Sequence, residues 1–241
     1  MPRLPLALLL CLLSLPAFGQ DKILLSQRDD PLARIAARIT AEAFHRIGHR
    51  AEFLVLPSER ALQSADSGQT KGDLVRMAGI EKLYPNLVQV PEPMLNYDTV
   101  AFTKGLGFKV EGWESLRPFR LCILRGNKLA EIGTDGMERT LANDVPQSIM
   151  MLGAGRCDVA VLGYIAWPEV DRLKEGPLRS LDPPISSVPL YLYLNKEKAD
   201  LAPKLAQALR QMQADGFTPG ILGEMERDIQ ETRQRNAMPT R

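Results

Sequence analysis

The sequence contains no run of lysine and arginine. Its 30 basic and 29 acidic side chains are scattered over 241 residues, for a formal charge of +1. Binding a polyanion needs clustered positive charge, so this pattern excludes a nucleic acid as partner. Histidine is almost absent, at two residues, and cysteine occurs three times, at 11, 122 and 157. Neither count nor spacing fits a metal site. His45 and His49 stand one helical turn apart with Glu42 a turn earlier, but a fourth ligand is missing, so the trio reads as a solvated helix end. Past residue 20 no apolar run reaches the roughly 20 residues that span a bilayer. Catalytic signatures are lacking too. The Gly-Leu-Gly at 105–107 has neither the third glycine nor the following helix of a nucleotide loop. No cofactor is expected.

The N-terminus carries an address. Arg3 precedes an apolar stretch from Leu4 to Leu15, and Ala17-Phe18-Gly19 forms a small-x-small cleavage site. Residues 1–19 therefore read as a signal peptide, and Leu10 before Cys11 is too bulky for a lipoprotein site. Cleavage removes one arginine and no acid, leaving 29 basic against 29 acidic residues, a balance of zero. The expectation is an exported, periplasmic protein, and a monomer. Cys122 and Cys157 remain after cleavage. They are read here as small buried hydrophobes inside strands, with a disulfide as the alternative that an oxidising compartment permits.

One phrase of sequence is written twice. Pro57 to Ile80 and Pro146 to Ile165 each run proline, helix, glycine break, aspartate and apolar strand. Upstream of each lie a further strand and helix, with KILLSQ at 22–27 before the first and RLCILRG at 120–126 before the second. A duplicated strand–helix–strand–helix–strand unit implies two α/β lobes with mostly parallel buried sheets. The spacing places lobe 1 at 20–97 plus 192–235 and lobe 2 at 98–191, with a disordered tail at 236–241 and fraying from Gln230 onward. Asp98 to Lys104 and Leu190 to Asn195 read as a strand pair carrying the chain between lobes.

Ligands of open α/β sheets gather at the carboxyl ends of the strands, which singles out several side chains. Gln27 ends the first strand, and Arg125 and Asn127 form the matching turn of the second lobe. Ser58 reads as a helix cap, which puts Glu59 and Arg60 in the first turn of that helix. Arg76 interrupts an apolar strand, where a buried arginine requires a partner, either a ligand or a local acid such as Glu81. Tyr164 follows the last strand of the second lobe and is placed above Trp167 as a pocket floor. Glu59 and Glu92 are the carboxylates placed near the cleft, and neither shows the partner that acid–base catalysis needs.

The leader, LGAGRCDVAV at 152–161, LYLYLNKE at 190–197 and the helix at 201–216 followed by ILGE together resemble the bacterial extracellular solute-binding proteins of family 3, the periplasmic amino-acid-binding type. The resemblance covers nearly all of the mature chain. It implies two Rossmann-like lobes joined by two crossing hinge strands, the type II periplasmic binding fold, closing on a small solute for delivery to an ABC transporter or a sensor. Such proteins grip the ligand carboxylate with an arginine shortly before the first crossover, where this chain reads GIEKLYPNLVQVPEP, leaving Arg76 or Lys82 to substitute. They take the ligand amine with an aspartate where this chain has Gly163-Tyr164. An ammonium left unpaired costs roughly 1–3 kcal/mol, so the resemblance with these departures implies an anionic or polar solute. The alternatives are a ligand-free interaction or sensor module on the same fold, or a dehydratase-like enzyme.

Overall fold

The computed structural model describes residues 21–237, with side chains through 235. The expected leader at 1–19, and the tail from 238, lie outside the described residues. In chain order the first lobe comprises β1 (Lys22–Gln27), α1 (Pro31–Arg46), β2 (Arg50–Val55), α2 (Ser58–Asp66), β3 (Gly72–Met77) and β4 (Leu87–Gln89). Strand β5 (Leu95–Lys104) leads out. The second lobe follows as β6 (Leu121–Leu124), α3 (Lys128–Gly133), β7 (Arg139–Ala142), α4 (Val145–Gly153), β8 (Val159–Gly163) and α5 (Trp167–Leu173). Strand β9 (Leu178–Asn195) leads back to α6 (Ala202–Ala214) and α7 (Phe217–Ala237).

The duplication read from the sequence appears as a near-mirror in the sheet. Strand order is β2-β1-β3-β9-β5-β8-β6-β7, with β4 also on β9. Each flank is a parallel trio with its first strand in the middle, β2-β1-β3 and β7-β6-β8. Between them β5 and β9 run antiparallel over most of their lengths. Backbone pairing is thus continuous across the molecule, but the apolar cores are separate. One gathers Leu25, Ile39, Phe44, Leu194 and Leu205; others gather Phe102, Ile149 and Leu162, or Leu121, Ile123 and Val161. The connecting strand on the return path is longer than its apolar stretch suggested. It begins at Leu178, not Leu190, because its first half is half-exposed and polar.

Local chemistry explains the element ends. Asp30 accepts from the Ala33 N–H at 2.8 Å and Pro31 opens α1, the expected cap and first-turn pair. Ser58 is not a cap, contrary to the expectation: it is the first residue of α2, no side chain caps that helix, and its hydroxyl reaches the other lobe. Glu42 pairs with Arg46 at 2.7 Å rather than joining the histidines, and among the described residues no group of three metal-ligating side chains occurs. No described helix is long and apolar enough to cross a membrane.

Two expectations are corrected. Cys122 and Cys157 form a disulfide, 2.02 Å between sulfurs, closing 35 residues; parallel pairing of β6 with β8 brings Cys122 beside the entry to β8. Fraying after Gln230 does not occur: α7 continues to Ala237, because Ile229 and Thr232 are buried. Ile229 belongs to the second lobe's core, while Ile221 near the start of α7 belongs to the first. This helix therefore spans both lobes.

Candidate functional site

The carboxyl ends of β1, β3, β6 and β8 face one cleft. At the end of β1 the chain turns through Gln27 to Asp30, and the Arg28 side chain folds back onto Asp30, Nε to Oδ2 2.5 Å. Among the described residues that is its single hydrogen bond, so the outer fork of the guanidinium is uncommitted. Burial alone disfavours the Arg28 charge, but Asp30 more than restores it. Burial likewise pushes the Asp30 carboxyl up, and Arg28 outweighs it, holding the group below the usual carboxylate range. The pair is ionised at the half-buried wall of the cleft.

Strand β3 carries the second charge pair. Its register against β9 slips by one residue between Asp73 and Arg76, and Val75 within the slip has φ +51°. Side chains alternate faces along a strand, so Asp73 and Arg76 belong on opposite faces of a regular one. The extra residue reverses the parity and turns both to the same side. There Arg76 Nε meets Asp73 Oδ2 at 2.5 Å, and its Nη atoms reach Ser58 Oγ at 3.0 Å and Ser58 O at 3.1 Å. A left-handed β-branched residue costs about 1–3 kcal/mol, and the bulge keeps it here. Both charges are buried.

The lobes meet at the turn after β6. Ser58 Oγ donates to Gly126 O at 2.9 Å, and Lys128 Nζ lies 2.9 Å from Glu59 and 3.2 Å from Glu131. Gly126 has φ +76°, and a Cβ there would sit 2.9 Å from that of Ser58, so only glycine allows this approach. Burial raises the Glu59 carboxyl, but hydrogen bonds from Tyr84 and Lys128 bring it below its ordinary value. Desolvation lowers the Lys128 ammonium, and Glu59 and Glu131 more than reverse that. Tyr97 projects from the start of β5 into the cleft, its ring against the Gly163 backbone and beside Asn127. Burial pushes its phenol up to about 12.

Three neighbouring spaces result. An inner one of about 40 Å³ lies among Arg28, Arg76, Tyr97, Asn127 and Lys128. A second of about 30 Å³ lies across Tyr97, against Gly163 and Ile165. A vestibule of about 470 Å³ opens between Arg34, Ser58, Asn143 and Glu169. Arg28 lines all three.

Of the residues named from the sequence, Arg76 and Asn127 line the inner space. Gln27 sits at the end of β1, its Oε1 buried without a partner among the described residues. Arg60 and Arg125 are exposed and line none of the three spaces. The reason for Arg60 is helical phase: Ala61, Leu62 and Ala65 take the buried face of α2. Tyr164 turns to α7, where its hydroxyl accepts from Arg233 at 2.8 Å and Gln230 at 3.2 Å. The partner of Arg76 is Asp73, whereas Glu81 accepts from Tyr193 at 2.9 Å. Glu59 does have a lysine partner, supplied by the other lobe, and Glu92 pairs with Arg210 at 3.0 Å, away from the cleft. Sequence reasoning did not select Arg28, Asp30, Asp73 or Tyr97. The signal for Arg28 was present, since the Gln27-Arg28-Asp29 turn matches the Arg125-Gly126-Asn127 turn.

The architecture defines a type II periplasmic-binding-protein-like fold. It is similar to a histidine kinase sensor domain resembling periplasmic binding proteins (TM-score 0.70, 17% identity, covering 86% of this chain and 96% of the other). An ancestral arginine-binding protein bound to glutamine is similar too (TM-score 0.69, 14% identity, 86% and 98% covered). So is the substrate-binding protein of an amino acid ABC transporter (TM-score 0.70, 13% identity, 85% and 98% covered). In sequence, an uncharacterised protein of Shewanella oneidensis is 25% identical over 194 residues, 76% of this chain and 72% of that one. No family model matches the sequence.

Proposed function

We propose that this chain is an exported, periplasmic solute-binding protein of the family 3 kind. It closes its two lobes on a small anionic or polar solute and presents the closed form to a membrane transporter or a sensor. The observation that carries this is Arg28: a half-buried guanidinium, held ionised beside Asp30, with an unused donor fork that borders all three spaces in the cleft. A planar fork of N–H groups suits a carboxylate or a phosphate. The other cations lining the cleft are paired as well, Arg76 with Asp73, Lys128 with Glu59 and Glu131, and Arg34 with Asp29 at the exposed rim.

A binding role fits the proton chemistry better than catalysis. General acid–base work wants groups tuned toward neutral pH. Here Glu59 is held below its ordinary value and Lys128 above its own, which locks both in their charged forms. The similarity to a histidine kinase sensor domain keeps the sensor alternative beside the transporter.

Thermal unfolding of the mature protein against acetate, phosphate and a set of amino acids tests the reading. A ligand at a hundredfold excess over its Kd stabilises by about 2.7 kcal/mol. The expected outcome is a rise in Tm with an anion that Arg28→Ala abolishes. Stabilisation by amino acids alone would sink the anionic reading.

A further inference from the structure

Tyr97 occupies an unusual place. It comes from a strand connecting the lobes, yet its ring lies between them. A Cβ built on Gly163 would fall 2.4 Å from Tyr97 Cε2 and 2.6 Å from its hydroxyl oxygen, far inside contact distance, so the ring rests directly on bare backbone. Arg28 and Leu32 line the spaces on both sides of the ring, and Tyr97 lines both as well. The phenol is thus a partition. It divides what would be one cavity into chambers of about 40 and 30 Å³. Each is less than a tenth of the vestibule of about 470 Å³.

We infer that Tyr97 and Gly163 form a matched pair that sets solute size, restricting the closed cleft to a compact anion such as a short-chain monocarboxylate on the Arg28 fork. This rests on the solute-binding reading above. The geometry supplies both halves. Glycine at 163 admits the ring, which packs against the second lobe's backbone there, and Asn127 of that lobe lines the inner chamber with it. A larger solute has to displace the ring or leave its body in the vestibule.

Calorimetric titration with acetate and with glutarate tests the pairing. The native protein is expected to bind acetate and to bind glutarate at least tenfold more weakly. Tyr97→Ala and Tyr97→Leu, which merge the chambers, are expected to narrow or reverse that preference by at least tenfold, while Tyr97→Phe keeps it. Gly163→Ala, whose methyl must push the ring aside, is expected to weaken acetate about tenfold, with most of that loss absent when Tyr97→Ala is already present. Such non-additivity is the mark of a contact, and a merely structural role would not produce it. Native protein that binds glutarate as tightly as acetate overturns the size limit while leaving the binding reading intact. So does a Tyr97→Ala protein with the native preference. Failure of the native protein to bind either anion, with neutral or cationic solutes binding instead, overturns both readings.

Discussion

Asp73 and Arg76 show how one inserted residue decides a site. Their ion pair exists because the β3 bulge at Val75 turns two side chains of opposite parity to one face. Removing one partner of a buried pair leaves a charge without compensation, which costs about 3–5 kcal/mol. Asp73→Ala is therefore expected to lower the stability measured by urea denaturation by that amount. A loss under 1 kcal/mol would mean that Arg76 finds another acceptor. Arg28 differs in kind. Its charge is satisfied by Asp30, yet its fork is free, so its replacement is expected to act mainly on ligand affinity.

Among the elements, α7 carries the largest departure from the sequence expectation. Its first half packs with the first lobe, Arg38 reaching Glu224 at 2.9 Å. Its second half packs with the other lobe, where Arg233 lies over the Tyr164 and Trp167 rings at 5.4 and 5.9 Å. Ile229→Ala empties a site in the second core and is expected to cost about 2–5 kcal/mol. A surface helix end would tolerate the change within about 0.5 kcal/mol, and calorimetric Tm separates the two. The disulfide acts on the same lobe. Closing 35 residues between β6 and β8 restricts the unfolded chain, so reduction is expected to remove about 2–4 kcal/mol. An unchanged Tm in reductant would contradict this.

In the molecule as a whole, the two lobes touch through contacts that the protein makes with itself. Ser58 meets Gly126, Glu59 meets Lys128, and the Tyr97 ring meets Gly163. The Glu59 carboxyl, bonded to Lys128 of the other lobe, lies below its ordinary value of 4.5. A depressed carboxyl contributes stability above the unperturbed value and loses it as pH falls through the depressed one. Closure is therefore expected to be undiminished at neutral pH and to weaken on acidification below about pH 4.5. Small-angle scattering should then show a larger radius of gyration in acid, and Glu59→Gln should show it already at neutral pH. A radius unchanged by either would remove the ionic contact from the closing force.

Much of the architecture was legible because it follows from local chemistry. The repeated phrase gave the paired trios of parallel strands, since each copy carries its own caps, breaks and apolar strand. Arg76 and Asn127 could be placed at strand ends by the same logic. What the linear pattern leaves open are properties of register and approach. Arg60 lies outward through helical phase, Tyr164 turns away because α7 offers Arg233, and Asp73 joins Arg76 only through a bulge. Composition and spacing thus determine that two similar lobes form and where their strands end. Only the packing of one lobe against the other decides which side chains share the gap, because closeness across it depends on strand parity and on the bare backbone of Gly126 and Gly163.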